Sequence, residues 1–231
     1  LNLGLTQYNM AHAGKAAMYD AAAKTFSTLA TKYPQGKHVA EATFYEGECL
    51  YNRGKKQEAA EKYNVVVTKY PSDPVMAQAL FALGVTQSDL GQHQTALETY
   101  DAFLKKFSQD ALATEVSMWR GESLFALKQY AEAAKAYAVA AGKQGFRMAD
   151  YATVRQADSL AAQQQFAEAA ALYASVPVKF KGSQYAELGN LEAGKKYYAA
   201  GDAAKALEYL NQVIAAGGKS SPEAAHWAAR S

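Results

Sequence analysis

Few side chains in this sequence are of the kind that carry out reactions. There are four histidines (His12, His38, His93 and His226), one cysteine (Cys49) and 22 acidic residues. A helical zinc site needs two histidines one turn apart with a glutamate between them, and no H-E-x-x-H spacing is present. The histidines fall at unrelated positions without a second ligand nearby, so each reads as a surface or capping residue. Glu46 and Glu48 are close in sequence, but residues two apart on a helix do not face one another. No glycine-rich phosphate loop follows a strand pattern. Cys49 has no partner for an internal disulfide and reads as a small buried residue beside Gly47. The expectation is no catalytic residue, no metal and no cofactor.

The chemistry that remains is recognition. Residues at i, i+4 and i+7 share a helix face, and one such stripe recurs: Phe44, Glu48, Tyr51; Phe81, Val85, Ser88; Met118, Glu122, Phe125; Val154, Asp158, Ala161; and Leu191, Lys195, Tyr198. It is aromatic with an acidic middle, and aromatic anchors beside polar orienting groups are usual at interfaces. Phe44, Phe81 and Phe125 could equally be core between neighbouring helices. Glu48, Glu122 and Asp158 fit a core poorly, because an unpaired buried carboxylate is costly. The slot held by Leu83 carries Glu46, Arg120 and Gln156 elsewhere. Arg120 reads either as an anchor for a ligand acid or as half of an ion pair with a neighbouring acid. A basic row, Lys32, Lys69, Lys106, Lys143 and Lys179, keeps the same spacing. Each lysine lies near an expected helix C-terminus, where a cation complements the dipole; a polyanion or lipid-headgroup track is the alternative.

A repeat must position these residues. The stretch Gly54 to Pro71, GKKQEAAEKYNVVVTKYP, reads as one amphipathic helix with a turn at each end. Its copies are headed by Ala22, Ala59, Ala96, Ala133, Ala169 and Ala206, a step of 37 residues that shortens once to 36. Four residues beyond each stand Phe26, Tyr63, Tyr100, Tyr137, Tyr173 and Leu210. Twelve residues before stand Gly47, Gly84, Gly121, Ala157 and Gly194 in the last five copies. Two landmarks keeping one period mark a stacked-repeat solenoid. Each repeat holds two helices, with a break at Gly54, Gly91, Lys128-Gln129 or Gly201. Small residues such as Gly84 and Ala96 let the two backbones approach, and the aromatic fills the space beside them. Pro34 and Pro71 end second helices by removing a donor and crowding the preceding turn. The repeats are expected at 1–34, 38–71, 75–108, 112–142, 148–181 and 184–217, with a further start at 221–231. There Ser221-Pro222-Glu223 supplies a cap, a first-turn proline and a first-turn acid. Gly14 to Ala17 reads as an inserted turn in an irregular first repeat, and the link Ala141 to Arg147 as a place where the stack bends.

Gly84, Gly91, Ala96, Tyr100 and the Tyr70-Pro71 ending resemble the tetratricopeptide repeat over nearly the whole chain. The period is about three residues longer than the usual 34. The endings KYPQGKHVAEA and KYPSDPVMAQA resemble the longer repeats of bacterial envelope proteins, such as the Tol–Pal accessory protein and the lipoprotein of the outer-membrane β-barrel assembly machine. The resemblance implies an all-α right-handed superhelical solenoid of about six helix pairs plus the start of another helix. It implies a non-enzymatic scaffold that holds a protein or peptide segment in a concave groove lined by first helices. The groove residues would be Phe44, Glu48, Tyr51, Phe81, Val85, Met118, Glu122, Phe125 and Asp158. An envelope assembly factor in the periplasm, and the regulatory arm of a larger enzyme, stand as alternatives.

Composition sets the remaining bounds. At 231 residues two domains would be the default, but the period favours a single array, residues 1–231. Half the residues are hydrophobic, enough for a continuous core. A net charge of +2 gives no reason to expect nucleic acid. There is no apolar run long enough for a transmembrane segment. The sequence opens at Leu1 and stops a few residues into a helix, which reads as an array cut mid-repeat, with self-association through that last helix as a further possibility.

Overall fold

The computed structural model describes all 231 residues and contains thirteen helices and no strand. In order these are α1 (Asn2–His12), α2 (Met18–Lys32), α3 (Val39–Asn52), α4 (Lys56–Lys69), α5 (Met76–Asp89), α6 (His93–Lys106), α7 (Ala113–Ala126), α8 (Tyr130–Gly142), α9 (Ala149–Ala162), α10 (Phe166–Lys179), α11 (Ala186–Ala199), α12 (Ala203–Ala216) and α13 (Ser221–Ala228). No helix is long and apolar enough to cross a membrane. The chain divides into two compact units, Leu1–Val116 and Ser117–Ser231, and the division falls inside α7.

The helices keep the register read from sequence. Helices α3, α5, α7, α9 and α11 are each 14 residues long. All five begin eight residues before the small landmark at Gly47, Gly84, Gly121, Ala157 or Gly194. The turn after the first helix of a pair needs a left-handed residue. Gly54, Gly91 and Gly201 supply it at φ of 77°, 75° and 83°, and Lys128 and Gln164 are held there at 60° and 62°. Second helices stop where the chain bends out of the α region. Tyr33 and Tyr70, each before a proline, sit at φ of −130° and −127°. Phe107 and Phe180 adopt nearly the same conformation without a following proline.

Within each pair the small landmark meets the aromatic of the second helix. A Cβ built on Gly47 would lie 2.7 Å from Tyr63 Cε1, and one on Gly121 2.7 Å from Tyr137 Cε1. In the sixth pair the same place is filled by Leu210 against Gly194. Tyr63, Tyr100, Tyr137 and Tyr173 are among the largest wholly buried side chains. In the first unit one core cluster gathers Phe44, Ala59, Tyr63, Val66, Ala79 and Leu83. Another gathers Tyr19, Ala22, Phe26, Ala42 and Cys49. In the second unit the clusters centre on Tyr173, Val176 and Ala193, and on Leu191, Leu210 and Val213.

The first pair corrects the sequence reading in one respect. Its landmark glycine is present as Gly4, packed on the Phe26 ring. It lies six residues further from its aromatic than in later pairs, because α1 continues past the glycine and Ala13 to Ala17 form a longer turn.

Candidate protein-interaction face

In the first unit the stripe lies on α3 and α5. Phe44 does not belong to an open face: it is a core residue, its ring centroid 5.8 Å from that of Tyr63. Glu48, one residue beyond the landmark glycine, is half-buried and accepts from Tyr63 Oη at 2.6 Å and Tyr8 Oη at 3.2 Å. Burial and then the Glu48 charge raise both phenols above the ordinary tyrosine range. Tyr51, half-buried, donates to Asp89 on α5 at 2.7 Å. Lys56 pairs with the same carboxylate at 2.9 Å and sits 5.9 Å from the Tyr51 ring centroid. Burial and the Asp89 bond push the Tyr51 phenol up to about 12. Phe81 and Val85 are half-buried beside them. Glu46, in the apolar slot, is buried and pairs with Lys62 of the same repeat at 2.8 Å.

In the second unit Met118 is wholly buried, so it too is core and offers a partner nothing. Glu122 is half-buried and held by an arginine that the stripe did not contain. Arg155 donates from Nε to Glu122 Oε1 at 2.9 Å and from Nη2 to Oε2 at 3.0 Å. Its Nη1 donates to Asp158 at 2.9 Å, and its Cζ stands 4.1 Å from the Phe125 ring centroid. Tyr151 adds a third donor to Glu122 at 3.1 Å, and Tyr173 donates to Asp158. Burial pulls the Arg155 pKa down, but Glu122, Tyr137 and Asp158 outweigh it and the net shift is upward. Tyr137 Oη is buried near Glu122 without a hydrogen-bond partner, and burial and then the Glu122 charge raise its phenol.

A rule joins these sites that the i, i+4, i+7 stripe alone does not show. The residue after the landmark and the side chain packed on the landmark, fifteen positions on in all but the longer first pair, vary together. Glu48 stands with Tyr63, Glu122 with Tyr137 and Asp158 with Tyr173, whereas Leu5 goes with Phe26 and Lys195 with Leu210. Val85 breaks the rule without a carboxylate, and Tyr100 Oη instead lies 3.4 Å from Ser88 Oγ. A buried phenol needs an acceptor, and the carboxylate on the facing helix supplies it to Tyr63 and Tyr173. Lys195 pairs with Glu192 at 2.6 Å and Glu223 at 3.0 Å.

The other candidates fall outside this face. Lys32, Lys69, Lys106 and Lys179 are exposed in the last turns of second helices, and Lys143 caps α8. His12 packs edge-on against Tyr8 and Tyr19, and His38 pairs with Glu41 at 3.3 Å. No three histidine, cysteine or acidic side chains gather in metal-holding geometry.

The comparisons agree with this architecture. A family model described as the tetratricopeptide repeat matches residues 12–74 and 81–147. The chain belongs to the tetratricopeptide repeat family. No curated protein matches it in sequence. Among solved structures it is similar to the MamA protein at 18% identity and a TM-score of 0.65, over 80% of this chain and 95% of that one. It is similar to the C-terminal part of a tetratricopeptide protein from Cytophaga hutchinsonii at 15% identity and a TM-score of 0.70, over 91% and 80%. A third, YrrB, described as a tetratricopeptide protein with an unusual peptide-binding site, aligns at 19% identity and a TM-score of 0.65, over 83% and 92%. At these identities the likeness is one of fold.

Proposed function

We propose that this tetratricopeptide repeat protein is a non-enzymatic scaffold that holds a partner's peptide segment against the first helices of its repeats. One observation carries the reading. On α3 and α5, Glu48, Tyr51, Phe81 and Val85 share a register and all stay half-exposed, while the small and aromatic landmarks of the same repeats are shut away. A stripe that served packing alone would be closed and uniformly apolar. This one presents rings beside a carboxylate already oriented by Tyr63 and Tyr8, so little ordering remains to be done on binding. The peptide-binding site of the structurally similar YrrB is in keeping with that use.

The test is selection of random peptides on the immobilised protein, followed by titration of the selected peptides against variants. Tyr51→Ala and Phe81→Ala are expected to weaken them by roughly 2 kcal/mol where either ring is a hot spot. Glu48→Lys is expected to slow association with basic peptides. Unchanged affinity in all three, with helicity intact, would place the site elsewhere.

A further inference from the structure

Resting on that reading, we propose that the α3–α5 face is a receptor for an arginine side chain of the partner segment. The argument comes from comparing equivalent joints between repeats. Number each first helix from its landmark, and one contact recurs: the side chain at plus four meets the side chain at minus two of the next first helix. In the first unit these are Tyr8 on α1 and Tyr45 on α3, with ring centroids 5.3 Å apart. In the second unit they are Phe125 on α7 and Arg155 on α9, the guanidinium carbon 4.1 Å from the ring centroid. The joint between α3 and α5 has Tyr51 at plus four, and the minus-two residue is Ala82, a single methyl.

Two of the groups that hold the Arg155 guanidinium, its bidentate carboxylate and its ring, have counterparts at this joint. Glu122, which takes the guanidinium through both oxygens, corresponds to Glu48. Phe125, on whose face it lies, corresponds to Tyr51. Tyr51 and Ala82 border the same core cluster, and the Tyr51 hydroxyl reaches Asp89 across the joint, so α3 and α5 face each other here as the register requires. Glu48 is held by tyrosine hydroxyls and takes part in no ion pair. Asp158, the second acid on Arg155, corresponds to Val85, so the site matches one guanidinium by one bidentate carboxylate and one ring. Arginine suits this pair better than lysine, because its planar fork bonds both carboxylate oxygens while stacking on the ring.

The probe is the tripeptide acetyl-Gly-Arg-Gly-amide, titrated into the intact protein while the backbone amides of Glu48, Tyr51 and Ala82 are followed by NMR. Saturable shifts at these three amides are expected. The citrulline peptide, which has the same shape without the charge, is expected to bind at least about tenfold more weakly, and the lysine peptide more weakly than the arginine one. Glu48→Gln and Ala82→Arg are each expected to reduce binding at least about tenfold, the first by removing the acceptor and the second by filling the site from within. Ala82→Arg is also expected to raise the melting temperature, a gain that Glu48→Gln should erase. Circular dichroism checks that each variant folds, and the citrulline arm needs no variant. Equal binding of the citrulline or lysine peptide, or shifts away from α3 and α5, would overturn the proposal. Selected peptides that still need Tyr51 and Phe81 but show no preference for arginine would overturn it and leave the scaffold reading standing. Peptides indifferent to all these residues would overturn both.

Discussion

Tyr63 and Tyr137 occupy the same position in two repeats, yet their hydroxyls have opposite circumstances. Tyr63 Oη donates to Glu48 at 2.6 Å, while Tyr137 Oη is buried without a partner. Removing the first leaves a half-buried carboxylate one donor short, and removing the second deletes an unsatisfied polar atom. Tyr63→Phe is therefore expected to destabilise by about 1–3 kcal/mol, and Tyr137→Phe to be neutral or stabilising. Urea midpoints of the two variants check this, and equal losses would mean the hydroxyl network is wrongly drawn. Cys49 shares the Glu48 neighbourhood. Burial first, then Glu48, Glu46 and Asp20, push its thiol up to about 12. The thiolate is the reactive form, so a disulfide reagent at neutral pH is expected to modify Cys49 only as fast as the protein opens. Rapid stoichiometric labelling of the folded protein would contradict the placement.

At the scale of the helix pair, the sequence carried most of the fold because one spacing serves two purposes. The glycine and the tyrosine that let α5 and α6 close together are also the marks that reveal the period. Where the spacing slips the period is not legible: six extra residues separate Gly4 from Phe26, so the glycine falls outside the repeat's register. The candidate site was less legible for a similar reason. Phe44 and Met118 shared the stripe but point into the core, since a regular helix leans a whole face toward its neighbours and the i, i+4, i+7 template does not say how far each residue is covered. Arg155, which organises the second unit's acids, stood one position beside Val154 and so escaped that template. The compartment was not legible at all, because nothing in a helix register depends on it. The same pair geometry makes predictions. Lys128 and Gln164 hold the left-handed conformation that glycine takes in the other turns. Gln164→Gly is expected to stabilise by up to about 1 kcal/mol, the strain relieved exceeding the added freedom of the unfolded chain. Gly84→Ala is expected to cost roughly 1–3 kcal/mol by driving a methyl into the Tyr100 ring. Thermal or urea unfolding reads both, and a stabilised Gly84→Ala would refute the contact.

Across the whole molecule the tyrosines set the response to alkali. In the first unit burial leads the causes that raise Tyr8, Tyr51, Tyr63 and Tyr100, and in the second it leads for Tyr137, Tyr151 and Tyr173. Tyr51 and Tyr151 are pushed up to about 12, and the others also sit above the ordinary value. The folded chain therefore keeps protons that the unfolded chain releases from about pH 10. By linkage the stabilisation is fully present below that pH and is lost as pH rises toward and through the folded values. Because most of these hydroxyls are closed off by helix pairing, they cannot ionise in place and must wait for pairs to open. Phenolate absorbance and helicity followed together through an alkaline titration are expected to change in one coupled step above about pH 10. Complete phenolate formation near pH 10 with the helices intact would show that the tyrosines do not hold the pairs shut.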